Sequence, residues 1–149
     1  MESEFTKAEK AALRLIARAE QCSTGLARKL EIRGHKPDCV AQVISNLTEQ
    51  RLIDDSRYAR LWLQTRVRLT RTPKRLLAGL CTKGIPREEA QSALNTVLDE
   101  EAELALLSRF AKKYAKKAAR KNENIITTLK CLLKNEGFSK QAIDNYFNQ

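Results

Sequence analysis

The stretch LLAGLCTKGI, residues 76–85, decides the fold, because its pattern occurs three times in the chain. Its marks are a leucine, a second leucine four residues later, and a glycine four residues after that. The other two copies are LARKLEIRG, residues 26–34, and LKCLLKNEG, residues 129–137. The glycines are therefore 50 and 53 residues apart. Such a spacing indicates tandem repeats of one small unit.

Each copy predicts a helix, a short turn and a second helix. Leucines four residues apart lie on one helical face. The glycine falls just past the end of the helix, where a left-handed backbone favours it. The residue after the glycine packs back on the helix if it is apolar, as Ile85 and Phe138 are, whereas His35 does so only partly. Residues suited to a helix start then follow in each copy: Pro37, Pro86 and Ser139.

A further helix precedes each copy. The three predicted spans are roughly Thr6–Glu20, Asp55–Thr70 and Asp99–Lys121, and Thr72-Pro73 begins the middle helix of the second unit. Inward-facing residues are predicted by helical spacing: Ala12, Leu13, Ile16 and Ala17, then Tyr58, Ala59, Trp62 and Leu63, then Leu104, Leu107, Ala111, Tyr114 and Ala118. The chain is thus expected to be all-α, with three-helix repeats at 1–53, 54–98 and 99–149. Units this small bury little surface alone, so we expect them to stack into an elongated, curved, solenoid-like body.

Composition narrows the class of protein. The chain has 149 residues, of which 42% are hydrophobic, so it can bury a core. We see no signal-peptide pattern and no apolar run long enough for a membrane helix, which predicts a cytoplasmic protein without membrane contact. The four cysteines have no metal-binding spacing, and we interpret them as reduced thiols. They are Cys22, Cys39, Cys81 and Cys131.

Positive charge is the strongest functional signal. The net charge is +10, which favours encounter with polyanions such as nucleic acid, although solubility alone could explain part of it. The middle unit carries nine basic and four acidic residues. We take as candidate contacts to DNA or a nucleoprotein the basic residues Arg57, Arg60, Arg66, Arg68, Arg71, Lys74, Arg75 and Lys83. Lys112, Lys113 and Lys116, in the lysine-rich part of the third unit's first helix, join them, with a solvated helix face as the alternative.

Catalysis finds no support in the residues. The chain has no phosphate-binding glycine loop, no nucleophile motif and no histidine set for a metal, so we predict neither enzyme activity nor a cofactor. The pair Asp54-Asp55 is interpreted as a helix cap rather than a catalytic carboxylate pair. The single histidine, His35, is interpreted as a half-packed turn residue.

The motifs of the middle unit, taken together, resemble the RecX family of bacterial regulatory proteins. The residues that carry the resemblance are Leu52-Ile53-Asp54-Asp55-Ser56-Arg57-Tyr58-Ala59-Arg60, Thr72-Pro73-Lys74-Arg75-Leu76 and Leu80-Cys81-Thr82-Lys83-Gly84-Ile85. Two positions depart from the family pattern: Thr72 stands where a glycine is usual, and His35 where an aromatic or aliphatic residue is usual. That family also consists of tandem three-helix repeats, so the resemblance covers nearly the whole chain.

The resemblance implies a non-enzymatic modulator of the RecA recombinase, with a place in homologous recombination, DNA repair and the SOS response. Members of the family bind the RecA–single-stranded DNA filament and reduce ATP hydrolysis and strand exchange by RecA. Some also bind DNA directly, so weak contact with single-stranded DNA is expected without preference for sequence. A monomer is expected. By motif match, Arg57, Lys74, Arg75 and Lys83 correspond to family positions.

Two other functions stay open at this point. Each leucine–glycine turn joins two helices much as a helix-turn-helix does, so a sequence-specific DNA-binding module is one alternative. A metal-dependent nuclease is the other.

Overall fold

The structure is a computed structural model that describes residues 2–119 and 125–149. Within those ranges the chain is all-helical. The helices are α1 Glu4–Arg18, α2 Ser23–Ile32, α3 Pro37–Glu49, α4 Asp55–Val67, α5 Pro73–Thr82, α6 Arg87–Val97, α7 Glu100–Ala119, α8 Ile125–Asn135 and α9 Lys140–Phe147.

The helices pack as three successive triplets, which we call unit 1 (α1–α3), unit 2 (α4–α6) and unit 3 (α7–α9). Within each triplet, the first and second helices pack on the third and on each other. This grouping confirms the predicted helical-repeat architecture. The exact divisions after residues 53 and 98 stay a prediction, because they concern folding units rather than helix packing.

The three leucine–glycine turns adopt the conformation that their sequence predicts. The φ angles of Gly34, Gly84 and Gly137 are +93°, +90° and +91°, in the left-handed region. The residue after each glycine donates its N–H to the carbonyl of the second leucine, at 3.2, 3.2 and 3.1 Å. Ile85 and Phe138 are buried, and His35 is half-buried, as its polar ring predicts.

Buried apolar residues form two clusters. One belongs to unit 1 and centres on Leu26, Leu30 and Leu47. The other runs without a break through units 2 and 3 and includes Leu80 and Leu107. Units 2 and 3 therefore share one core, whereas unit 1 has a core of its own.

The accessible surface indicates an elongated molecule. A compact monomer of 16.9 kDa exposes about 7,700 Å². The chain exposes 9830 Å². An excess of about a quarter is expected when small units stack in a row instead of gathering around one centre.

Some predicted boundaries and core positions were wrong. Helix α1 begins two residues earlier, because Ser3 caps it by accepting a hydrogen bond from the N–H of Thr6 at 3.1 Å. Helix α4 ends at Val67, because Thr70 has a φ of +55° and cannot continue it. Pro86 is the N-cap of α6 and not a residue of its first turn.

Two inward positions of α1 were also assigned to the wrong face. Leu13 is 39% exposed and Ala17 is exposed, whereas Ala8 and Leu15 are buried beside Ala12. In α7, Leu106 is fully buried although it was not predicted, and Leu104 is only half-buried. The predicted helix end at Lys121 and the side chain of Ala118 lie outside the described residues.

Candidate nucleic-acid interface

Four predicted cations lie close together in the chain where α4 is connected to α5. Arg68 and Arg71 lie on the connection between the helices, and Lys74 and Arg75 lie in the first turn of α5. All four side chains are exposed. We call these four residues the basic corner.

The basic corner carries charge that the fold does not neutralise. Among the described residues, none of its four side chains has a carboxylate within 4.0 Å or makes a hydrogen bond. Two of the cations also occupy the positive end of the α5 dipole, where a cation is unfavourable. The corner is therefore available to an anion from outside the molecule.

Arg57 has a different role from the one predicted by its charge. Its guanidinium donates to both carboxylate oxygens of Glu20, from Nε at 2.9 Å and from Nη2 at 3.3 Å. It also donates to the carbonyls of Arg51 and Leu52, at 3.4 and 3.3 Å. Because its guanidinium donates to four acceptors, Arg57 joins unit 1 to unit 2.

Arg66 is partly engaged as well. Its guanidinium carbon lies 5.2 Å from the centroid of the Trp62 ring, within the range of a cation–π contact. On the same helix, burial raises the pKa of the half-buried Tyr58 above its ordinary value, with a smaller contribution from Cys22. Trp62 also covers Gly79, where an added Cβ would lie 2.5 Å from the ring. Arg66 is thus engaged within its own helix, and Trp62 is the residue that packs α4 against α5.

The remaining predicted cations lie outside the basic corner. Arg60 lines a cleft of about 150 Å³ together with Glu89, Ser56 and Ser92. Lys83 has an exposed side chain, while its carbonyl accepts a hydrogen bond from Cys22. Exposed lysines of α7, in unit 3, complete the set: Lys112, Lys113 and Lys116.

The aspartate pair at the start of α4 caps two different helices. Asp54 accepts from the N–H of Arg57 at 3.1 Å, which confirms a cap on α4. Asp55 instead accepts from the N–H and hydroxyl of Ser23, at 2.7 and 2.6 Å. Since the N-cap of α2, Cys22, makes no side-chain cap, Asp55 supplies one from the next unit. These bonds explain the carboxylate pair without any catalytic role.

The middle helices of units 1 and 2, α2 and α5, each begin against the glycine turn of the following unit. The Thr24 hydroxyl donates to the carbonyl of Gly84 at 3.4 Å, and the Lys74 N–H donates to the carbonyl of Glu136 at 2.9 Å. Thr24 and Lys74 hold the same register position, two residues before the first leucine of the pattern. One kind of junction therefore links all three units.

Sequence reasoning missed several of these residues because their roles depend on neighbouring units. Arg109 of α7 donates to the carbonyl of Val67, the last residue of α4, at 3.2 Å. Lys130, Lys134 and Lys140 surround an apolar cleft in unit 3. The spacing of Lys130 and Lys134, one helical turn apart, was a signal that could have been used.

The helices that follow the turns are poorly suited to reading a DNA groove. A recognition helix inserts its N-terminal residues among the bases. Helix α6 carries Glu88 and Glu89 in its first turn, and α3 carries Asp38 there. Carboxylates at those positions repel the phosphate backbone, which argues against the helix-turn-helix alternative in units 1 and 2.

Comparison with known proteins identifies the middle of the chain. The family model described as the second three-helix domain of RecX matches residues 54–94, the segment that holds the basic corner. The regulatory protein RecX of Halorhodospira halophila is 37% identical over 99 residues, which are 66% of this chain and 58% of that protein. The regulatory protein RecX of Treponema pallidum is 34% identical over 108 residues, 72% of this chain and 66% of that protein. The chain belongs to the RecX family.

The fold agrees with this assignment. The crystal structure of RecX from Lactobacillus salivarius superposes with a TM-score of 0.75 at 26% identity, covering 97% of this chain and 95% of that one. The chain spans 58% and 66% of the two curated RecX relatives. RecX proteins are thus the relatives of the chain in both sequence and architecture.

Three further observations concern the residues that the structure describes. No helix among them is both long and apolar enough to cross a bilayer. Likewise, no three histidine, cysteine, aspartate or glutamate side chains gather there as a metal would require. All four cysteines are free thiols, with Cys22 buried and Cys81 and Cys131 exposed.

Proposed function

We propose that this RecX-family protein binds the RecA–single-stranded DNA filament and restrains ATP hydrolysis and strand exchange by RecA. It does so as a non-enzymatic, monomeric binding protein of the bacterial cytoplasm. The observation that carries the proposal is the basic corner, which lies in the segment matched by the RecX domain and has exposed, unpaired cations.

The chemistry of the corner supports a phosphate-rich partner. Arginine presents a planar fork that can contact two phosphate oxygens at once, and the corner holds three arginines. Contacts of this kind release counterions from nucleic acid, so affinity falls steeply as salt rises. Because the corner is made of flexible, exposed side chains, we expect contact with the backbone and no selection of sequence.

The shape of the molecule supports a polymeric partner. An elongated body with its cations midway along can follow a groove and touch several repeats of a helical filament. Arg57 leaves the proposed contact set because Glu20 already neutralises it. The contact set thus becomes the basic corner with Arg60 and Lys83, and with the lysines of α7 as a second area.

The proposal is tested by ATP hydrolysis by RecA on single-stranded DNA, measured while the protein is titrated. We expect inhibition by the unchanged chain. The triple variant Arg68→Glu, Arg71→Glu, Arg75→Glu should lose at least about tenfold in inhibitory potency, since several phosphate contacts become repulsive. Its circular dichroism should stay helical because all three side chains are exposed.

A charge-matched control separates this surface from a general effect of charge. Arg14→Glu, Arg28→Glu, Lys36→Glu makes the same charge change on exposed residues of unit 1. It should inhibit nearly as well as the unchanged chain. Absence of inhibition by the unchanged chain at several-fold excess rejects the function, and equal losses in the two triple variants reject the placement of the contact.

A further inference from the structure

An apolar cleft in unit 3 is set among lysines. It has a volume of about 440 Å³ and is lined by Phe138 and Ile143 together with Lys130, Lys134 and Lys140. This volume falls in the range of roughly 300–1,000 Å³ that is typical of ligand clefts. We call it the lysine cleft.

The charges around the lysine cleft are unneutralised by the described part of the chain. No described carboxylate lies within 4.0 Å of the three ammonium groups. Asp144 is one turn from Lys140 on α9, yet it is exposed and makes no ion pair with it. The apolar surface also continues beyond the cleft, since Ile126 is 59% exposed one turn before Lys130 on α8.

Two features distinguish the cleft from a surface that stacks nucleobases. Base stacking needs an open aromatic face. Phe138 is only 4% exposed, and the Nζ of Lys130 lies 4.9 Å from the centroid of the Phe147 ring, over one of its faces. The floor of the cleft can accept a compact apolar group but offers no free ring to a base.

We propose that the lysine cleft is a docking site for an acidic peptide segment that carries one large apolar side chain. The apolar side chain fills the cleft and packs on the floor that Phe138 and Ile143 form, and carboxylates on either side of it pair with the lysines. The inference goes beyond filament binding and stands whether or not RecA is the partner, because it concerns residues outside the proposed filament contacts and a different ligand chemistry.

The test is fluorescence anisotropy of the whole protein with a labelled synthetic peptide in which one phenylalanine is flanked by three acidic residues on each side. We expect this peptide to bind about fivefold or more tightly than one with serine in place of phenylalanine, since the ring is buried on binding. The variant Lys134→Glu, Lys140→Glu should weaken binding by about tenfold or more, because attraction becomes repulsion.

Control variants keep the test specific. Arg14→Glu, Arg28→Glu changes the charge equally on unit 1 and should alter peptide affinity by less than about twofold. Lys134→Gln, Lys140→Gln, which matches the glutamate variant in size but carries no charge, should fall between the unchanged protein and the glutamate variant. If one of the two cleft variants loses helicity, the peptide affinity of the other variant tests the proposal.

Three results would overturn the proposal. The first is equal affinity for the phenylalanine and serine peptides, or no binding of either. The second is an equal loss in the unit 1 control, which would mean attraction by overall charge. The third is complete displacement of the peptide by oligothymidylate together with loss of oligothymidylate binding in the cleft variants, which would make the cleft a nucleic-acid site.

Discussion

Gly34 and Gly84 have the same backbone conformation in different surroundings. Their φ angles are +93° and +90°. A Cβ added at Gly34 would have no atom within 4 Å, whereas one at Gly84 would lie 2.5 Å from both Cβ and Cγ2 of Thr24. The first glycine is therefore required by its turn alone, and the second also by the close approach of α2.

Substitution by alanine separates these two requirements. Gly34→Ala should lower the free energy of unfolding by about 1–2 kcal/mol, the cost of a left-handed conformation with a side chain. Gly84→Ala should cost roughly 1–3 kcal/mol more, because overpacking is added at the junction with Thr24. Urea unfolding followed by circular dichroism measures both.

The double variant Gly84→Ala, Thr24→Ala tests the cause. Removing the hydroxyl and methyl of Thr24 relieves two of the three close contacts but leaves its Cβ 2.5 Å from the added Cβ, so this variant should recover only part of the extra loss. Equal destabilisation by Gly34→Ala and Gly84→Ala would contradict the junction between units 1 and 2.

At the scale of the helix, the start of α5 depends on another unit. Thr72 is 2% exposed, and its hydroxyl donates to a carboxylate oxygen of Glu136 at 2.6 Å. The hydroxyl oxygen of Thr72 also accepts a hydrogen bond from the N–H of Arg75 at 3.4 Å, so Thr72 caps the helix. Threonine at this position, where the family resemblance leads one to expect glycine, thus ties α5 to the turn of unit 3.

The cap predicts unequal losses of stability for two conservative changes. Thr72→Val keeps the shape and removes the hydroxyl, so it should destabilise the protein by about 1–3 kcal/mol, because it loses the cap and leaves the Glu136 carboxylate without its partner. Thr72→Ser keeps the hydroxyl and should cost less than about 1 kcal/mol. Thermal unfolding of both variants provides the comparison, and equal stability of the valine variant and the unchanged chain would contradict this role.

The helices were predictable because their signals are local. Leucine spacing, glycine after the helix and proline or serine at the next start are all read within a few residues, and they placed the turns correctly. Which face of a helix is buried was predicted less accurately. In α1, Leu13 and Leu15 are both apolar, and the packing of α1 on α3 determines that Leu15 is the buried one.

The roles of charged residues could not be predicted in the same way. Arg57 and Arg68 are both arginines of the same cluster, yet Glu20, far away in the sequence, neutralises only Arg57. Asp55 reads as a cap on its own helix but caps α2. Such roles depend on how the units stack, and that information is not carried by spacing within one unit.

At the scale of the whole molecule, the two cores imply unequal stability along the chain. Unit 1 has a separate core, and hydrogen bonds and one ion pair attach it to unit 2. Units 2 and 3 share a continuous core, so neither can open without exposing apolar surface of the other. A structure of this kind opens in parts, and the free energy of opening is expected to be lower for unit 1 than for units 2 and 3.

Native-state hydrogen exchange can detect this division. Amides in the middle of α2 and α3 should exchange through an opening of lower free energy than those of α5 and α7. Asp55→Ala removes the two hydrogen bonds to Ser23 and should lower protection in unit 1 by about 1–2 kcal/mol, while protection in α5 and α7 stays unchanged. Asp54→Ala is the matched control, since it removes the cap of α4 and should lower protection in unit 2 instead. The contradicting result is one common opening free energy for all nine described helices, shifted equally by both variants. The molecule would then unfold as a single body. The polar junction between units 1 and 2 would couple them as strongly as a shared core does.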